Sequence, residues 1–244
     1  MIDWLRGEGH GEVGLRVPLT DAELLAPVPR PPSVRDFFAF EGHVEAGWRR
    51  RGGEIPPAWY EAPVFYFSNP ASIRGPGAAI ARPQGTRMLD FELEVAAVIG
   101  AGGEVAGFTL MNDWSARDIQ AREMTVGLGP AKGKDFATSL GPWLVTPDEL
   151  PIVDGRLDVE ATVTLNGEEL SRTSAAEQHW PWHELVGHAA RGTDLGAGDV
   201  LGSGTLNRGC LLELGPLVGE RWLEPGDEVV IAADGLGELT AVIA

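Results

Sequence analysis

The sequence predicts a β-rich α+β domain with a few short helices, and three observations carry that expectation. Its 33 glycines and 18 prolines are spread along all 244 residues, which calls for many turns between short elements. Segments alternating apolar and polar residues recur, and tight-turn dipeptides interrupt two of them. Helical signals are few, and each is short enough to need packing to hold it. A chain of this length buries roughly 70% of its unfolded surface as one domain. No repeat, low-complexity tract or Ser/Gly linker marks an internal boundary.

In chain order, residues 1–30 read as a short amino-terminal arm, set off by the four prolines between Ala26 and Pro32 from a main domain over 31–244. Ser33–Arg51 has a helical pattern. Leu89–Gly100 alternates apolar residues with acids before turning wholly apolar, as a strand does when it enters a core. Asp113–Met124 is a second helix, with Ser115 and Asp118 spaced as a capping box. Val159, Ala161, Val163 and Leu165 share one strand face, and Asn166-Gly167 is a hairpin signal. His183–Ala190 is a third helix, Gly198–Leu201 and Cys210–Leu214 read as strands, and residues 227–243 form a hairpin turning at Asp234-Gly235.

Composition excludes several classes of function. With 36 acidic and 19 basic residues the net charge is −17, and Arg49–Arg51 is the one dense basic run, so neither nucleic acid nor an anionic membrane is an expected partner. No apolar run approaches the ~18 residues a membrane span requires. The first 16 residues lack the basic and apolar regions of a signal peptide. The single cysteine, Cys210, permits no intramolecular disulfide and is expected in the core, and a reducing cytoplasm is the natural setting.

The chemistry concentrates in three runs. On a strand, Asp90, Glu92 and Glu94 project to one face about 7 Å apart, where unrelieved carboxylates repel one another. Either that face is solvated, or Glu92 and Glu94 hold a hard divalent cation. Asp113, in the turn ahead of the second helix, offers a further ligand. On that helix Arg117 and Gln120 share a face, suited to a substrate carboxylate or carbonyl, or equally to a plain surface pair. The glycine-rich segment 127–134 fails as a phosphate loop, having Leu128 at a glycine position and Asp135 after Lys134, but it can present the Lys134 ammonium to developing negative charge.

These runs, Leu-Asp-Phe-Glu-Leu-Glu, Met-Asn-Asp-Trp-Ser-Ala-Arg-Asp-Ile-Gln and Gly-Lys-Asp-Phe, in this order, strongly resemble the fumarylacetoacetate hydrolase family. The resemblance covers roughly Asp36 to the end and implies a mixed β-sandwich or β-roll of that family's C-terminal domain type. It also implies that Glu92, Glu94 and Asp113 bind Mg²⁺ or Ca²⁺, with Mn²⁺ equally acceptable to oxygen donors, and that Arg117, Gln120 and Lys134 meet the substrate. Arg35–His43 resembles the segment in which an aspartate completes the metal shell and a histidine is general base, giving those roles to Asp36 and His43. Tyr66 matches a substrate-contacting tyrosine, whereas Phe38 stands where the hydrolases proper carry another. Gly202–Thr205 and Gly209–Leu214 match the segment where Thr205 lies near the substrate and Glu213 orients the histidine.

The activity this implies is divalent-metal-dependent hydrolysis of a C–C bond in a β-dicarbonyl acid, such as an acylpyruvate or acylacetoacetate, through a metal-bound enolate. The setting would be catabolism of aromatic compounds, the partner a small keto acid, and the assembly a homodimer. The alternative on the same site is decarboxylation or keto-enol isomerisation of a 2-oxo or 2-hydroxymuconate-type acid. Family members doing that chemistry typically lack the glutamate found here as Glu213, which favours hydrolysis. A non-catalytic Ca²⁺-binding module leaves His43, Arg117 and Lys134 without a task. His183 and His188 lie one residue too far apart for a zinc helix motif, no Gly-x-Ser-x-Gly elbow occurs, and Gly9–Gly14 fits a dinucleotide pattern without the strand it needs.

Overall fold

The computed structural model describes residues 18–215, 218–219 and 221–244. Most of the expected arm, including the Gly9–Gly14 pattern, lies outside the described residues. Strands in the first half are β1 (Val34–Phe37), β2 (Phe65–Ser68), β3 (Ile73–Arg74), β4 (Ala78–Ile80), β5 (Leu89–Asp90), β6 (Leu93–Ile99), β7 (Val105–Asp113) and β8 (Ser115–Ala116). The second half adds β9 (Thr138–Val145), β10 (Ile152–Val153), β11 (Arg156–Leu157), β12 (Glu160–Leu165), β13 (Glu168–Ser174), β14 (Val200–Gly202), β15 (Glu228–Ala233) and β16 (Gly237–Ile243). The α-helices are α1 (Glu41–Arg50), α2 (Arg117–Met124), α3 (Trp182–Ala189) and α4 (Leu211–Leu214).

Seven strands form one mixed sheet in the order β2-β1-β14-β6-β7-β9-β3, and five form a second in the order β13-β12-β15-β16-β4. β15 and β16 pack on β7, and β16 also on β9, so the two sheets enclose a common core that includes Phe91, Phe108, Leu110, Ile231 and Leu239. The β-rich α+β class expected from the sequence is the class observed. β6 is central and buried at all seven positions, which explains why its sequence loses alternation after Glu94. β12 alternates as expected, with Ala161, Val163 and Leu165 inward, and Asn166 and Gly167 adopt φ of 52° and 84° in the hairpin turn. The Asp234-Gly235 hairpin and the third helix also stand within a residue of expectation. Cys210 is a buried free thiol, as expected.

Three expected elements are corrected. Ser33–Arg51 is not one helix: Val34–Phe37 pairs with both β14 and β2, and the helix starts only at Glu41. Asp113–Met124 begins as strand and turns helical at Arg117, with no side-chain cap. Ser115 Oγ donates instead to the Asp113 carbonyl, and Asp118 accepts from Thr86 Oγ1 and the Arg87 amide, so the capping box does not form. Cys210–Leu214 is a helical turn rather than a strand, because the Asp90 carboxylate accepts the Leu211 and Leu212 amides at its start. Each correction depends on a partner distant in sequence, which local pattern does not contain.

Candidate active site

β1, β6 and β7 are close neighbours in the seven-stranded sheet, and each delivers one acid to the same point. Asp36, Glu94 and Asp113 bring carboxylate oxygens within 4.8 Å of one another. All three are buried, and among the described residues Asp36 Oδ1, Glu94 Oε1 and Asp113 Oδ1 have no hydrogen-bond partner. Burial, followed by repulsion from Asp113, pushes Asp36 well above its ordinary value. Burial and the Asp36 charge do the same to Glu94, and burial raises Asp113. Orphaned hard oxygens in a buried trio suit a hard divalent cation, which would supply the missing positive charge. Gly202 lies beneath them: a Cβ there would stand 2.5 Å from Asp36 Oδ1 and 3.0 Å from Glu94 Oε2, so only glycine leaves the cradle open.

Glu92, in the break between β5 and β6, stands beside this trio and binds cations of the protein's own. It accepts the Lys134 ammonium at one oxygen and Arg117 Nη1, at 2.6 Å, at the other. Although burial opposes it, Arg117 and Lys134 hold the Glu92 carboxyl far below the usual range. Lys134 also reaches Asp113 Oδ2 at 2.5 Å. Despite burial, Asp113 and Glu92 raise the Lys134 ammonium above its usual value, so it is a donor and not a proton acceptor. Asp90, Glu92 and Glu94 are all buried, which removes the solvated-face reading.

His43 comes from the first turns of α1 and Glu213 from α4. His43 Nδ1 and Glu213 Oε1 are 2.6 Å apart, and Glu213 Oε2 accepts the Arg208 amide at 2.7 Å. Burial opposes ionisation of Glu213, but the His43 ring and these hydrogen bonds hold its carboxyl below the usual range. An Nδ1–H donated to Glu213 leaves the Nε2 lone pair free, on the side facing Glu92 Oε1 at 3.8 Å. The edge of the Phe38 ring packs on His43 with centroids 5.4 Å apart, and Trp59 Nε1 holds the Phe38 carbonyl at 2.7 Å.

Asp36, His43, Glu92, Glu94, Arg117 and Lys134 line one cavity of about 280 Å³ together with Phe38, Tyr66, Gln120 and Thr205, and Asp113 and Glu213 join it through Lys134 and His43. Arg117 is buried, so a plain surface pair with Gln120 is excluded, although Nη1 reaches Gln120 Oε1 at 3.3 Å. Among the described residues its Nη2 has no hydrogen-bond partner. Tyr66 donates to Asp113 Oδ2 at 2.6 Å, and burial, with the Asp113 charge next, pushes its phenol well above the ordinary value. All twelve residues singled out by sequence therefore converge. The sequence assigns no role to Asp90, Gly202 or Asn112, whose Oδ1 accepts the Glu92 amide at 3.0 Å. Asp90 and Asn112 lay inside the motifs, two residues before Glu92 and one before Asp113, but nothing local showed what they bind.

The family model for the fumarylacetoacetate (FAA) hydrolase C-terminal domain matches residues 33–244. The fumarylacetoacetase of Oryza sativa subsp. japonica is 33% identical across 91% of this chain and 68% of its own length. The first curated relatives are covered over 63 to 68% of their length, so this chain spans about two thirds of them. Among solved structures, the fumarylacetoacetate hydrolase of Exiguobacterium antarcticum superposes with a TM-score of 0.77 at 27% identity, covering 99% of this chain and 86% of that one. The 5-carboxymethyl-2-hydroxymuconate delta-isomerase of Mycobacterium smegmatis gives 0.71 at 28% identity, covering 93% and 82%. With a matching model over nearly the whole chain and relatives above 30% identity, this protein belongs to the fumarylacetoacetate hydrolase family.

Proposed function

We propose that the protein hydrolyses a C–C bond of a β-dicarbonyl acid, of the acylpyruvate or acylacetoacetate kind, with a divalent cation held by Asp36, Glu94 and Asp113 and adjoined by Glu92. The observation that carries this reading is the 2.6 Å contact between His43 Nδ1 and Glu213, which leaves Nε2 as a base on the cavity side. A cation held by these carboxylates would supply Lewis acidity to the substrate. Arg117 Nη2, buried and unpartnered, suits a substrate carboxylate, with Gln120, Tyr66 and Thr205 around it. His43 takes a proton from water, which adds to the distal carbonyl, and Glu213 steadies the imidazolium that results. Lys134 donates toward the oxygen that gains charge, and a proton returned to the carbon of the departing fragment completes the cleavage into two carbonyl products.

Isomerisation or decarboxylation on the same scaffold is the second reading, favoured by the likeness to the mycobacterial isomerase. It needs proton movement but no water addition, so it gives the His43 and Glu213 pair less to do. Mg²⁺-loaded protein offered an acylpyruvate, a 2-hydroxymuconate-type acid and oxaloacetate, with products followed by NMR, separates the readings. Two carboxylate products from the acylpyruvate support hydrolysis, while a shifted double bond or CO₂ alone refutes it. The same reading takes the enzyme to be a cytoplasmic homodimer, acting in aromatic catabolism through the domain at 31–244. Light scattering should then give about twice the 26.0 kDa chain mass.

A further inference from the structure

Asp90 has no part in that chemistry, yet it is fully buried and hydrogen-bonded through both oxygens. Oδ1 accepts the Leu211 amide at 2.8 Å, and Oδ2 accepts the Leu212 amide at 3.1 Å together with Arg117 Nε at 2.8 Å. These partners lead in opposite directions across the site. Leu211 and Leu212 open α4, the turn that carries Glu213 to His43. Arg117 opens α2 and reaches Glu92 through Nη1. One carboxylate, on the two-residue strand β5, thus ties the start of the helix orienting the base to the guanidinium that faces the cavity.

We propose that Asp90 is a positioning residue that couples these two halves, fixing Glu213 and Arg117 relative to each other; this rests on the proposed hydrolase reading. Three donors converge on one fully buried anion, so displacement of any partner is felt by the others. A four-residue turn has little hydrogen bonding of its own, and its orientation depends on that anchor. Arg117 Nε, fixed by Asp90, leaves Nη1 for Glu92 and Nη2 without a partner among the described residues.

Two measurements test the coupling. Amide hydrogen exchange comes first and needs no substrate: Arg117→Lys should quicken exchange at Leu211 and Leu212, whose amides donate to Asp90 and not to Arg117, by at least about tenfold while strand β6 stays protected. Exchange left at the wild-type rate overturns the proposal, whether or not the protein is a hydrolase. The second uses Asp90→Asn, which keeps one acceptor and sets an amide donor either against the Leu211 amide or against the Leu212 amide and Arg117. With Mn²⁺ affinity within about threefold of wild type, it should lower kcat on an acylpyruvate by about 10²-fold and raise KM, whereas Glu213→Gln lowers kcat alone. A variant that shifts only the melting temperature, with kcat and KM unchanged, overturns it. Absence of acylpyruvate turnover by the wild type counts against the hydrolase reading, and the exchange result then decides the coupling alone.

Discussion

Individual side chains in this site are defined by what their neighbours leave unpaired. Asp36, Glu94 and Asp113 each retain a buried oxygen without a donor, while Glu92 is saturated by Lys134 and Arg117. Removing the base should separate chemistry from metal binding: His43→Ala is expected to lower kcat by about 10²- to 10⁴-fold and leave Mn²⁺ affinity, read by titration calorimetry, near wild type. A joint loss of both would show that His43 supports the cradle. Gly202→Ala should do the reverse, weakening Mn²⁺ binding by at least about tenfold, because its methyl would lie 2.5 Å from Asp36 Oδ1. Wild-type affinity in that variant would mean the carboxylates do not meet a cation there. The acids were legible in the sequence because their alternation and spacing are local. Gly202 was not, since its reason for being glycine is the approach of side chains from β1 and β6.

Elements were legible to the extent that their causes are local. β12, β15 and β16 announce themselves by alternation and by Asn166-Gly167 and Asp234-Gly235, which need no distant partner. β1 and α4 do not, because pairing with β14 makes the first and the Asp90 carboxylate anchors the second. That distinction supplies a test at this scale. Gly167 has a φ of 84° and open space around its Cα, so Gly167→Ala carries backbone strain alone and should cost about 1 kcal/mol in urea unfolding. An unchanged midpoint would show that the hairpin turn is not held in this conformation in solution. The family motifs were more informative than any secondary-structure pattern, because they record side chains that meet in space from β1, β6, β7, α1, α2 and α4.

For the whole molecule, the surplus of 36 acids over 19 bases separates into a solvated majority and a small buried group with assigned partners. Within the buried group, acids answer to pH with opposite signs according to what they face. Burial raises Asp36 and Glu94 in the metal-free fold, so their contribution to stability is present in acid and lost as pH rises, and a cation that favours the ionised form binds better as pH increases. The thermal shift given by Mg²⁺ should therefore be larger at pH 8 than at pH 5.5, and an equal or reversed shift would contradict the cradle. Asp227 is the opposite case. Burial works against its ionisation, but Asn166, the Glu224 amide and Arg221 hold it below the usual range, so its contribution is present at neutral pH and fades as pH falls through that lowered value. Fold class and family were legible in the sequence, as were the residues that meet at the cavity; the cradle's geometry, which depends on three strands meeting, was not. The most direct test of the central claim is the product spectrum of Mg²⁺-loaded protein with an acylpyruvate in H₂¹⁸O, followed by NMR and mass spectrometry. The account predicts pyruvate and a carboxylic acid in equal amounts, with ¹⁸O in the acid's carboxyl group and turnover by His43→Ala slowed by about 10²- to 10⁴-fold. Isomerised or decarboxylated acid without ¹⁸O-labelled carboxylate would contradict it.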